Sequence, residues 1–112
     1  MYAVVRSDLK MTPGRAAAQA GHAFVNSFSK APEDMRAAYA AETETCKIVL
    51  SCPDQPTLMH LWAKLRASSI PCALVIESDE GAPDGLGVVT ALGIGPVARG
   101  DAKSHTKGLR CM

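Results

Sequence analysis

The chain has 112 residues, 47% of them apolar, and a formal net charge of +1. That is enough chain and enough apolar surface for one folded domain. It excludes a disordered polymer, and no apolar run reaches membrane-spanning length. A uniform charge this small would exclude polyanion binding, but the charge is uneven. Residues 1–30 carry Arg6, Lys10, Arg15 and Lys30 against Asp8, and residues 97–112 carry Arg99, Lys103, Lys107 and Arg110 against Asp101. Basic ends around an acidic middle allow a local phosphate-binding face.

Tyr2 to Arg6 is β-branched and aromatic, bounded by Ser7-Asp8, and reads as a strand. Thr12-Pro13 is a helix start, a hydroxyl cap followed by the residue suited to the first helical position. The helix should run to about Phe28, with Ala16, Ala17, Ala20 and Gly21 letting it lie close to a sheet. Phe24 and Phe28 share one of its faces, and Pro32 breaks it. A second helix is expected over Glu33 to Ala41. Lys47 to Cys52 is a buried strand, and Asp54 or Thr57 caps a third helix with Leu58, Leu61, Trp62 and Leu65 as its apolar stripe. Ile70 to Ile76 and Gly87 to Ile94 are two further strands, joined too closely for a helical crossover and so antiparallel if neighbours. The order predicts a single α/β domain over residues 1–112, a four-stranded mixed sheet with helices on both faces.

Strand, basic loop and helix N-terminus between residues 3 and 28 form a device for holding an anion. The first-turn amides of a helix are unpaired, and its dipole adds positive potential. Lys10 and Arg15 place two cations there. Arg15 at a helix start is unfavourable to the helix itself, which points to an anionic ligand, with an ordinary surface arginine as the alternative. Cys46, Cys52, Cys72 and Cys111 form no C-x-x-C pair, and His22, His60 and His105 show no ligand spacing, so neither a disulfide framework nor a metal site is expected. Reduced thiols and the lack of a signal-like start suit a cytoplasmic protein.

The same segment resembles the archaeal/eukaryotic-type, second-class peptidyl-tRNA hydrolases, whose signature runs R-x-D-L-K-M, G-K, A-A-Q, H-A. The matching residues are Arg6, Asp8, Leu9, Lys10, Met11, Gly14, Arg15 (in place of lysine), Ala17, Ala18, Gln19, His22 and Ala23. Lys47-Ile48-Val49-Leu50 resembles the family's K-I-V-L strand. Thr90 to Pro96 resembles T-V-L-x-I-G-P, and Thr106 to Arg110 is similar, less specifically, to a T-G-H-L-K ending. The resemblance implies hydrolysis of the ester joining a peptide to the 3′ ribose of tRNA, without metal or cofactor, by a protein that is commonly a homodimer. It places Lys10 at the catalytic lysine, where an ammonium stabilises the developing oxyanion or holds a phosphate.

The family's D-A-G-R-T-Q segment corresponds here to Glu77-Ser78-Asp79-Glu80-Gly81-Ala82-Pro83. A one-residue deletion aligns Asp79 with the family's water-assisting aspartate, whereas an ungapped count puts Ser78 there, and the R-T-Q is missing either way. Thr90 matches a threonine whose hydroxyl could orient water or substrate, with strand packing as the alternative. Catalytic residues are thus expected at Lys10, Asp79 and Thr90. Substrate-binding residues are expected at Met11, Gly14, Arg15, Gln19 and His22, with Lys107 and Arg110 as phosphate contacts or a mobile basic tail. Two other functions stay open, a non-catalytic tRNA- or protein-binding module of the same fold and a hydrolase of smaller acyl esters.

Overall fold

The computed structural model describes residues 1–78 and 87–112. Strand β1 (Tyr2–Arg6) leads into α1 (Pro13–Lys30) and α2 (Glu33–Ala41), then β2 (Ile48–Cys52), α3 (Gln55–Ala67), β3 (Cys72–Glu77), β4 (Val88–Ile94), α4 (Arg99–Thr106) and β5 (Arg110–Cys111). The sheet order is β3-β4-β1-β2-β5. β1 and β2 are parallel, while the β1–β4, β3–β4 and β2–β5 pairs are antiparallel. The mixed sheet and the antiparallel β3–β4 pair match expectation. The sheet has five strands rather than four, because the chain beyond Pro96 folds back as α4 and β5. Met112 N donates to Val49 O at 2.9 Å, extending that pairing by one bond.

Alternation along β1 divides the core. Tyr2 and Val4 face α3, packing with Leu58, Leu61, Leu65, Leu92, Ile94 and Ala102. Ala3 and Val5 face α1, packing with Ala16, Ala20, Ala23, Val75 and Ala91. Helices therefore cover both faces. On the α1 side the close approach comes from the sheet, since a Cβ at Gly93 would lie 2.0 Å from the Ala23 carbonyl oxygen. Ala17 and Gly21, expected to face the sheet, point outward and are exposed. The inward set is Ala16, Ala20 and Ala23, spaced by four and three residues.

Asp54 rather than Thr57 caps α3, its carboxylate accepting from Thr57 N at 2.8 Å. The four cysteines are free thiols, with Cys46 and Cys111 exposed. No described helix is long and apolar enough to cross a membrane.

Candidate active site at the carboxyl end of the first strand

The loop leaving β1 is held by short-range bonds. Ser7 N and Ser7 Oγ both donate to Cys52 O, at 2.9 and 3.0 Å. Lys10 N closes a turn on Ser7 O at 3.2 Å. Lys10 itself has φ of 50°, in the left-handed region that residues other than glycine adopt uncommonly and at some cost. It is exposed, in the loop two residues before the Thr12 cap of α1. Thr12 caps that helix, its Oγ1 accepting from Arg15 N at 3.3 Å, with Pro13 next. A Cβ at Gly14 would meet nothing within 4 Å, so the space beside the first turn of the helix is open. Met11 packs at the margin of the α1-side core.

Arg15 reaches from the first turn of α1 to the end of β3, where it makes an ion pair with Glu77. Both side chains keep substantial exposure, 53% and 39%, so water screens the pair and its contribution to stability is small. Its chemical consequence is larger, because the cation at the helix start already carries a carboxylate counter-ion.

Deeper in, Thr90 Oγ1 donates to Gln19 Oε1 at 2.7 Å. Thr90 is fully buried and Gln19 nearly so, at 6% exposure. A register shift delivers this hydroxyl to the α1 side. Opposite β3, Val75 pairs with Ala91 but Ile76 pairs with Val89, leaving Thr90 as the extra residue of a bulge. Val89 packs with the α3-side core and Ala91 with the α1-side core, although strict alternation would put both on one face. Gln19 and His22 line a cleft of about 240 Å³ with Asn26, Val75, Ile76 and Glu77. The three-residue spacing of Gln19 and His22 thus brings them to one cleft, with His22 exposed.

The remaining expected residues lie as follows. Asp79 falls outside the described residues, and so does the segment replacing R-T-Q. Lys107 is an exposed residue between α4 and β5. Arg110 pairs with Ser51 near the carboxyl end of β2, the same end of the sheet as the Lys10 loop. It is a strand residue of β5. No group of three or more His, Cys, Asp or Glu gathers as a metal site among the described residues.

The sequence shows Arg6 only as one of the N-terminal cations and the head of the family signature, with no role in the site. Its guanidinium donates to Asp8 through Nε at 3.0 Å and Nη2 at 2.7 Å, and Nη1 donates to Gln55 Oε1 at 3.1 Å and Val89 O at 2.9 Å. The hydrogen bonds from Arg6 hold the Asp8 carboxyl below its ordinary range. The available signal was an arginine closing an apolar strand two residues before an aspartate.

The profile of the family described as peptidyl-tRNA hydrolase PTH2 matches residues 1–112. The chain belongs to the peptidyl-tRNA hydrolase PTH2 family. It is 30% identical to the peptidyl-tRNA hydrolase of Methanococcus vannielii, over 97% of this chain and 95% of that one. Identity is 38% to the Methanopyrus kandleri peptidyl-tRNA hydrolase, over 83% and 80%. It is 34% to the Saccharomyces cerevisiae peptidyl-tRNA hydrolase 2, over 88% of this chain and 51% of the longer yeast protein. The resemblance read from the motifs is the family found, and hydrolysis of peptidyl-tRNA in translation is the chemistry that this family's site serves.

Proposed function

We propose that this chain hydrolyses the ester between a peptide, or an N-blocked amino acid, and the 3′ ribose of tRNA, at the junction of β1 and α1. The observation that carries this reading is the family match over the full chain, with the Lys10 loop standing at the carboxyl end of a parallel strand. Open α/β sheets offer their ligand crevice at that end. The same match favours residues 1–112 acting as one catalytic unit, and it speaks against an inactive binding module.

Water adds to the ester carbonyl carbon and the carbonyl oxygen gains negative charge; the carbonyl then re-forms as the bond to the ribose oxygen breaks, and that oxygen takes the proton the water gives up. Lys10 stabilises the oxyanion from the loop that precedes the helix start. Asp79 orients the water. Thr90, with its hydroxyl committed to Gln19 Oε1, acts by fixing the Gln19 amide at the cleft rather than by touching substrate. Met11 and Gly14 border the entry, and His22 lines the cleft beside Gln19. Arg15 exchanges its Glu77 partner for a tRNA phosphate, while Lys107 and Arg110 take further phosphates from the same end of the sheet. No step calls on a metal or a cofactor. A cytoplasmic location, a role in ribosome rescue and a homodimeric state are part of the proposal on the family resemblance alone. Sedimentation would test the last of these.

The test is single-turnover release of N-blocked amino acid from charged tRNA. Lys10→Ala should lower the rate by about 10²–10³-fold, the usual effect of removing one oxyanion-stabilising donor. Asp79→Asn should also lower it. Binding should weaken steeply with salt, because phosphate contacts release counterions. Absence of release above the uncatalysed rate by the wild type would overturn the reading.

A further inference from the structure

The β1–β4 ladder runs from Tyr2 opposite Ile94 to Val5 opposite Ala91 and stops there. The next residue of β1 is Arg6, and the next of β4 is Thr90, the bulged residue. A bulge takes its strand out of register, so the backbone of Val89 loses its place opposite β1. The Arg6 side chain fills that place, Nη1 donating to Val89 O at 2.9 Å. The other side of the same guanidinium forks onto both oxygens of Asp8, two residues before Lys10. One rigid, planar group thus bonds the residue next to Thr90 and the turn that carries Lys10. Gln55 Oε1, at the first residue of α3, is a third attachment at 3.1 Å.

We propose that Arg6 is a positioning residue that sets the Lys10 turn and the Thr90 bulge at a fixed separation, so that the oxyanion-stabilising ammonium and the Gln19 amide held by Thr90 address one substrate. This rests on the hydrolase reading above. Arg6 does not touch substrate, since its side chain is only 10% exposed and its guanidinium is taken up by Asp8, Gln55 and Val89. Arginine is required because the span needs several donors in one plane. A lysine ammonium has three donors at a single point and would have to give up either Asp8 or Val89. A misplacement on the order of 1 Å is enough to cost about 10²-fold in rate with the chemistry otherwise intact.

The experiment compares wild type, Arg6→Lys and Arg6→Ala in the single-turnover assay, with the folded fraction measured for each. Arg6→Lys should lose about 10–100-fold in the chemical step, with KM for charged tRNA within about twofold of wild type. Guanidinium at tens of millimolar should restore part of the Arg6→Ala rate, and urea at equal concentration should not. A rate loss no larger than the loss of folded protein, or a loss confined to KM, or no difference between guanidinium and urea, would overturn the proposal. A second readout does not need turnover. Backbone amide shifts of Val89 to Ala91 should move in Asp8→Asn, and the same change should have no further effect in the Arg6→Lys background. Independent responses of the two segments would overturn the coupling. An inactive wild type would overturn the hydrolase reading while leaving the coupling to be judged by these shifts.

Discussion

The two faces of the sheet are built to different standards. The α3 side is thick, with Leu58, Leu65, Leu92 and Ile94 fully buried beside Tyr2 and Val4. The α1 side is thin, packed with alanines around Ala3, Val5 and Ala91, and it brings helix backbone against the sheet at Gly93. Large side chains bury area but keep helix and sheet about 10 Å apart. Small ones give up area and let polar groups on the helix reach polar groups on the strand. The Gln19–Thr90 bond lies on the thin side, and so does the cleft beside it. One face supplies stability and the other supplies proximity.

The sharpest way to break the thin face is Gly93→Ala. The added methyl would sit 2.0 Å from the Ala23 carbonyl oxygen, which is backbone and cannot rotate away. The helix must move, at a cost of about 3 kcal/mol, the upper part of the overpacking range, and the Gln19–Thr90 bond moves with it. Denaturant melting should show a loss of that size, and turnover per folded molecule should fall as well. Leu58→Ala on the thick face should cost a similar 2–5 kcal/mol by opening a cavity. There, turnover per folded molecule should stay near wild type. Equal effects of the two substitutions on turnover would end the distinction between the faces.

Between these and the surface lies the buried pair itself. Thr90→Val removes the hydroxyl and strands Gln19 Oε1, costing about 1–3 kcal/mol. Gln19→Leu in the same chain should restore part of that stability, because neither partner is then left unsatisfied, yet should restore no turnover. Additive stabilities in the double-mutant cycle would mean that the bond contributes nothing to stability.

Much of this was legible in the chain. Tyr2–Arg6, Glu33–Ala41 and the Thr12-Pro13 start follow from β-branched alternation and capping chemistry, and the structure has them at those residues. The Lys10 loop was legible because its motif residues are contiguous. α4 and β5 were not, since α4 buries only Ala102 and β5 is two exposed residues, leaving no apolar period to read. Nor was the bulge at Thr90, because an extra residue inside a continuous apolar strand leaves composition unchanged while exchanging the two faces. Arg6 escaped for a related reason. A charge at a strand end reads as solvated until the structure shows what it spans.

The smallest effect should have the opposite sign. Gly21 lies in the interior of α1 on its outer side, exposed, with nothing within 4 Å of the position a Cβ would take. No packing requirement inside the chain holds glycine there, and helical glycine costs backbone entropy. Gly21→Ala should therefore stabilise the protein by about 0.5–1 kcal/mol. Turnover should not change, because the inward residues Ala16, Gln19, Ala20 and Ala23 keep their places. Thermal melting would resolve the gain, and single-turnover release would report on the cleft. If Gly21→Ala destabilised the chain or slowed release, the outer side of α1 would be a working surface that the packing does not reveal, and the contrast between Gly93 and the outward small residues would fail.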